Sequence, residues 1–515
     1  MRNLHRLATA GTAAATLVLI AGSPAPASTG PVSHASPFAG CTVGGTPSST
    51  LYPGAEVEPS VAGNRFLPGE VVGAWQQDRW SDGGARGIAA AYSRDGGRSF
   101  TEVTWPVSRC APGGLAYDRA SDPWVSVGPE GVVYGSALSF DALTPRNTVA
   151  ATTSYDGGRT WRNTTVLIDD TEPGIIDDKN SVTADPIRPG SAYQVWDRLR
   201  LSPDGALLFD GPTLLSITRD FGRTWSTARV IVPTAQFQQT IGNTIVVDRR
   251  TGTLYNFYDS IQYTDATATA TTFVRFEMVR STDAGRTWSR PTVVAQDTSV
   301  TNVAPNTGDR LRTGAGLPFP AIDPRTGELY LAYEGTDFTG GAYNQIQLVH
   351  SRDGGRSWSA PNRVNAVPTV PAYTPSIAIT DRGDVGITYY DVRTLQPGNT
   401  TTLPTSTWLT VSPRGGQHFD RERRLAPAFD FLQAPNANGF FLGDYEGLAT
   451  FDDQFRALFV TTNNGQPNNR TDVFFVHVRS SDVRSPVGAA AGTAVSPLPA
   501  PSAPSAPLRR VTTRR

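Results

Sequence analysis

The sequence predicts an all-β fold built from repeated four-stranded antiparallel units. Three observations predict it. One octapeptide recurs, as Ser93 to Phe100, Ser154 to Trp161, Thr218 to Trp225, Ser281 to Trp288 and Ser351 to Trp358. An altered sixth copy, Ser412 to Phe419, carries Arg414 in place of Asp. From Asp95 through Asp156, Asp220, Asp283 and Asp353 to Arg414 the steps run from 61 to 70 residues. A fixed period of this kind marks a repeat architecture. The runs between copies are rich in Val, Ile, Tyr, Phe, Trp and Thr, punctuated by Gly, Asp and Asn, which is strand and turn chemistry. No segment sustains a helical period.

The ends of the chain read differently from its body. Residues 1–27 have Arg2 and Arg6 before a short apolar stretch and close on Ala25-Pro26-Ala27. That is the pattern of a cleaved secretion signal, too short to span a bilayer. A secreted, extracellular protein is expected. Residues 28–50 form a Ser/Pro/Gly-rich lead-in, 51–480 the repeat body, and 481–515 an Ala/Pro/Ser tail that cannot bury a core and is expected to be disordered. Formal net charge is −1. That gives no basic field for nucleic acid, and no membrane partner is expected. Lys179 is the single lysine. Cys41 and Cys110 are the only cysteines; in a secreted chain one disulfide is the default and two thiols the alternative.

The octapeptide explains its own shape. A strand ends at Ser or Thr. Asp turns back to accept hydrogen bonds from turn amides. Gly supplies backbone angles other residues resist. The aromatic opens the next strand and buries its ring. Each Asp is therefore committed to its own turn, so the motif reads as structural.

Four strands per repeat, arranged radially, make propeller blades. Inner strands begin near Glu58, Asp122, Asp178, Gly242, Pro318, Thr374 and Gly443. That count gives seven blades, with six the alternative because the last repeat lacks the octapeptide. In an antiparallel blade the octapeptide turn lies on the face opposite the inner-strand starts. The mouth at those starts gathers Glu58, Asp122, Asp178, Lys179, Asp444 and Tyr445. Second-strand ends add Asp78, Arg79, Asp197, Arg198, Asp259, Glu334, Asp391 and Arg393. Paired carboxyl groups beside a cation and aromatic faces suit glycoside chemistry, in which one carboxyl protonates a leaving oxygen and a second group attacks or activates water. Asp122 or Asp178 is the candidate acid/base. Lys179, Arg198, Asp391 and Arg393 are candidate binding groups. The bland alternative for any one of them is a turn cap paired with Arg.

The octapeptide is the Asp-box, or BNR repeat, and the chain from about Glu56 to Val478 resembles the sialidase (neuraminidase) superfamily of β-propellers. That resemblance implies a secreted exo-α-sialidase-type glycoside hydrolase acting on terminal sugars of glycoconjugates. It implies three arginines on the sugar carboxylate, a Tyr nucleophile paired with Glu, and an Asp acid/base. Tyr445 with Glu446 stands in for the nucleophile pair, although adjacent strand residues face opposite sides. Asp444 is the other candidate nucleophile or helper. Asp122 stands in for the acid/base, and Arg198, Arg312 and Arg393 for a different carboxylate clamp. The family's first Arg is missing: the first inner strand reads Glu56-Val57-Glu58-Pro59, and Ile187-Arg188-Pro189 falls on the wrong turn. Two other readings therefore stand beside it: a non-catalytic propeller binding glycan or protein, and a polysaccharide hydrolase or lyase. A carbohydrate or glycoprotein ligand and a monomer are expected. No cofactor is expected. A structural Ca²⁺ among the mouth carboxylates is compatible with oxygen ligands but has no loop signature.

Overall fold

The computed structural model describes residues 30–413, 415–419 and 421–483. The secretion signal, the tail beyond 483 and Arg414 of the altered repeat lie outside the described residues. The described chain is all-β, with only two short 3-10 turns, Phe431–Gln433 and Ser480–Asp482.

Seven antiparallel meanders follow one another. The first runs Leu51–Gly63, Val71–Trp80, Ala85–Ser93 and Thr101–Thr104. The second runs Arg119–Val127, Val133–Phe140, Asn147–Ser154 and Arg162–Asp170, and a single pairing of Ala85 with Ala120 joins it to the first. The other five meanders begin at Ile175–Ala184, Gln238–Val247, Phe319–Ile322, Ala372–Ile379 and Gly447–Phe451. The last has three strands. The lead-in lies against its outer strand: Val32 N–H donates to the Val473 carbonyl at 2.7 Å, and Val473 N–H donates to Ser33 Oγ at 2.9 Å. Cys41 and Cys110 form a disulfide that ties the lead-in to the end of the first meander. Each meander's first strand lies against the first strand of the next, and Gly447–Phe451 lies against Leu51–Gly63.

The five intact octapeptides share one hydrogen-bond set. In the second, Thr160 N–H and Oγ1–H donate to Asp156 at 2.8 and 2.7 Å, and Gly158 N–H donates to Ser154 Oγ at 2.9 Å. The same bonds recur around Asp95, Asp220, Asp283 and Asp353. The motif's rings are half-buried rather than buried, because each reaches across to the preceding meander. Trp161 meets Trp105 at 4.7 Å, Trp358 meets Phe257 at 5.9 Å, and Phe100 meets Phe475 of the seventh meander at 5.1 Å.

A second repeated feature sits at the other end of the inner strands. Five of them slip register by a bulge at one level, between Val57 and Ser60, Ser121 and Trp124, Asp178 and Ser181, Ile241 and Thr244, and Tyr373 and Ser376. At each bulge one residue takes a left-handed backbone: Glu58 (φ 55°), Asp122 (49°), Lys179 (46°), Gly242 (74°) and Thr374 (52°). A bulge re-aims a side chain, and a non-glycine residue there costs on the order of 1–3 kcal/mol.

Candidate active site

The bulges turn Glu58, Asp122 and Lys179, from three meanders, toward one point. Lys179 Nζ lies 2.7 Å from Asp444 Oδ2, 3.4 Å from Asp122 Oδ2 and 3.6 Å from Glu58 Oε1. Gly443, at φ 147°, lets the chain pass Glu58 closely, because a Cβ there would meet Glu58 N at 2.8 Å. Asp444 N–H then donates to Glu58 Oε1 at 3.3 Å. Arg312 completes the cluster, donating from Nη2 to Asp444 Oδ2 at 2.6 Å and from Nε to Oδ1 at 3.2 Å. It comes from a strap between the fourth and fifth meanders, where Leu311–Arg312 pairs in parallel with Phe440–Phe441. Behind it Arg79, 2% exposed, donates to Gln76 Oε1 at 2.7 Å, and both guanidinium groups face the Phe441 ring.

Burial and charge separate the carboxyl groups. Burial, then Asp122, push Glu58 up to about 8, so it holds its proton at neutral pH. Burial works against ionising Asp444, but Arg312 and Lys179 overrule it and hold that carboxyl well below the ordinary range. Asp178, half-buried, is raised by burial although Lys179 opposes this. Asp197 lies opposite Asp178 in the pairing and is raised well above the usual value by burial and by Asp178. Burial opposes the charge on Lys179, yet Asp122 and Asp444 keep it firmly protonated. Asp122 takes a hydrogen bond from Ser121 Oγ on Oδ1 at 2.7 Å, while its buried Oδ2 accepts none and lies 3.4 Å from Lys179 Nζ.

Asp122, Asp178, Lys179 and Asp444 are thus brought together as the topology argument expects. Three sequence-predicted binding groups stand elsewhere. Arg198 is held by Asp170 and, at 3.0 Å, by Asp177, because its strand runs outward past the mouth. Arg393 is spent on Asp391 at 2.5 Å and Glu422 at 2.5 Å over the Trp408 ring, and Asp391 also accepts from Trp408 Nε1 at 3.0 Å. Tyr445 points down rather than up: its hydroxyl donates to the Pro123 carbonyl at 3.1 Å and its ring lies 5.2 Å from Trp124. Burial raises its pKa far above the ordinary value, and Glu446 turns the other way to accept from Val460 N–H at 3.3 Å, so no Tyr–Glu pair forms. Tyr445 lines a cavity of about 210 Å³ below the cluster, with Asp122, Trp124, Lys179, Asn243 and Phe319.

Glu58, which the strand pattern puts at the mouth, and Arg312, expected only in a carboxylate clamp with Arg198 and Arg393, both belong to the cluster. Glu58 had a signal, since Glu58-Pro59 occupies the place that Asp122-Pro123 and Thr374-Pro375 occupy in their repeats. For Arg312 no repeat position pointed to Asp444, because its strap has no counterpart in the other repeats. Among the described residues no group of three or more His, Cys, Asp or Glu is arranged to hold a metal ion.

Residues 213–308 match the model of the BNR repeat-like domain family. A sialidase of Micromonospora viridifaciens is 31% identical over 192 residues, which is 32% of this chain and 28% of the relative's length. The chain therefore spans well under two thirds of that relative. Among solved structures, an alpha-L-arabinanase of Penicillium chrysogenum complexed with arabinobiose gives a TM-score of 0.45 at 12% identity, covering 85% of this chain and all of that one. A Hadza microbial sialidase gives 0.44 at 14% identity, covering 80% of this chain and 77% of its own. Its repeats, the family match over residues 213–308 and the partial sialidase relative support a protein of the sialidase/BNR superfamily.

Proposed function

We propose that this protein is a secreted glycoside hydrolase, acting as a monomer on terminal sugars of extracellular glycans, and that its seven meanders close as the blades of a propeller. The unbroken succession of first-strand contacts, from Leu51–Gly63 round to Gly447–Phe451 and back, supports the closed ring. The observation that carries the activity is the single lysine, itself on a strained bulge, drawing together Glu58 and Asp122, on two further bulges, and Asp444. Strain and unlike carboxyl environments in one mouth are marks of catalysis.

The chemistry divides among these groups. Asp178, half-buried and raised, donates the proton to the leaving oxygen. Asp122 Oδ2, free of hydrogen bonds, is the nucleophile or the base for water. Lys179 and Arg312 hold Asp444 ionised, and that charge stabilises a cationic sugar transition state. A cavity of about 210 Å³ is smaller than the ~300–1,000 Å³ of drug-sized sites, which suits one ring at a chain end.

The exo-sialidase form of this reading requires arginines for the substrate's carboxylate. Arg312 already serves both oxygens of Asp444, and Arg79 is 2% exposed. A neutral or basic sugar fits this mouth better than sialic acid. A panel of fluorogenic glycosides, sialosides included, tests the proposal. Turnover of at least one non-sialoside is expected, with Asp122→Asn and Asp178→Asn each reducing it roughly 10²–10⁴-fold while staying folded. Turnover of sialosides alone would restore the exo-sialidase form. Glycan binding with no turnover would make the protein a lectin-like propeller.

A further inference from the structure

The end of the inner strands opposite the mouth carries a row of arginines without counter-ions. The first four octapeptide turns hold Arg94, Arg98, Arg159, Arg219, Arg223 and Arg286, all exposed. Among the described residues none of the six makes an ion pair, whereas Arg198, Arg312 and Arg393 are each bound to a carboxylate. The turns' own carboxylates are engaged. Asp95, Asp156, Asp220 and Asp283 each accept from the amide and the hydroxyl of the Ser or Thr four residues on. Glu70, beside Gly157, accepts from Asn64 Nδ2 at 2.9 Å.

Backbone carbonyls, not carboxylates, orient these guanidinium groups. Arg98 Nη1 donates to the Asp95 carbonyl at 3.3 Å and Arg223 Nη1 to the Asp220 carbonyl at 3.5 Å. Two others cross to the next turn: Arg94 Nη2 donates to the Asp156 carbonyl at 3.3 Å, and Arg219 Nη2 to the Ala284 carbonyl at 3.0 Å. Between these crossings Tyr155, 42% exposed, donates to the Phe221 carbonyl of the third turn at 2.8 Å. The first turn is thus tied to the second, the second to the third and the third to the fourth, by side chains outside the shared Asp bonding. The arginines form one continuous track with an exposed aromatic in its middle. A guanidinium has five N–H donors and stays charged, so one bond to a carbonyl orients it without neutralising it. A fork held in place beforehand loses less entropy on binding. Sulfate and phosphate esters match that fork with two parallel bonds. A lone anion would meet one or two of the six arginines. A chain of regularly spaced esters meets them in succession and releases its counter-ions along the whole track.

We infer that the first four Asp-boxes form a docking surface for a linear sulfated or phosphorylated polysaccharide, which leaves the mouth at the other end open. The test is fluorescence anisotropy of a labelled heparin dodecasaccharide titrated with the full chain across a salt series. The full chain is expected to bind, with log affinity falling linearly against log salt. Changing Arg94, Arg98, Arg219 and Arg223 to Gln should weaken binding at least roughly tenfold and flatten that slope, with near-UV circular dichroism unchanged. Arg423→Gln with Arg424→Gln removes exposed charge from the outer strand of the sixth meander and should change binding by less than about twofold. If the fourfold variant does not fold, Arg98→Gln with Arg223→Gln decides, because their hydrogen bonds stay within their own turns. That pair should weaken binding roughly threefold or more. No binding at low salt overturns the surface. So does a box variant that binds as the full chain does, or an equal loss in the Arg423 and Arg424 pair. A loss produced entirely by changing Arg509, Arg510, Arg514 and Arg515 to Gln would move the contact to the tail and overturn it too. Sodium sulfate that displaces heparin at an equal sulfate concentration, or phosphatidylglycerol vesicles that bind more tightly and displace it, would overturn the polysaccharide in favour of a small anion or a membrane.

Discussion

The two ends of the inner strands carry two repeated features, and they differ in what repeats. At the Asp-box end both chemistry and geometry recur: the same Asp, the same hydroxyl and the same amides, five times, near the surface. At the mouth only the geometry recurs. The left-handed bulge carries Glu, Asp, Lys, Gly and Thr in turn. Each Asp-box satisfies itself, so one copy does not depend on another. The mouth groups satisfy each other across meanders, as Lys179 does with Glu58, Asp122 and Asp444. A repeat whose chemistry is constant builds the fold, and a repeat whose chemistry varies at constant geometry builds a site used once.

The largest effect expected from this contrast is that of Lys179→Met. It leaves buried carboxyl groups without their counter-charge and should cost about 3–5 kcal/mol in chemical denaturation, with turnover lost. A loss under 1 kcal/mol would show the mouth groups to be as independent as the boxes.

Next comes pH, where the two ends should behave oppositely. Glu58 is raised from 4.5 to about 8, so the folded state holds a proton that the unfolded state releases above 4.5. Its contribution is fully present below 4.5 and is lost as pH rises through about 8. Asp95 is lowered from 3.8 to about 2: burial pushes it up, but the hydrogen bonds from Ser99, Ser93 and Arg98 N–H together outweigh that, so its contribution is present at neutral pH and lost as pH falls through 2. Melting temperatures of Glu58→Gln should therefore gain on the wild type between pH 5 and 8, while those of Asp95→Asn should converge with it toward pH 2. Parallel curves throughout would erase the distinction.

A smaller effect is expected at a single box. Asp156→Ala should cost about 0.5–1.5 kcal/mol, because the amides it frees lie near water, and turnover per folded molecule should not change. Lost turnover in a folded variant would mean that the box reaches the site. Smallest of all, Arg198→Met should leave turnover within about twofold, since Asp170 and Asp177 hold this residue apart from the Lys179 cluster. A loss above tenfold would extend the site to the outer rim.

The sequence by itself determined the repeat, the all-β class, the Asp-box bonding and the end of the inner strands at which Asp122, Lys179 and Asp444 gather. All of these follow from local rules: a turn motif closes on its own backbone, and antiparallel alternation sends consecutive turns to opposite faces. Asp122, Asp178, Lys179 and Asp444 were legible because they stand at inner-strand starts. Only the tertiary structure decided which of the mouth's charged groups meet. Arg198 and Arg393 had the right place in the pattern, but nearer carboxyl groups hold them. Tyr445 had the right neighbours in sequence, but the turn after Gly443 aims its hydroxyl at Pro123. Arg312 arrives on a strap without periodicity, across more than a hundred residues of chain from Asp444. Ion pairing falls off with distance in space and takes no account of separation along the chain, so strand periodicity places a residue at the mouth without choosing its partner.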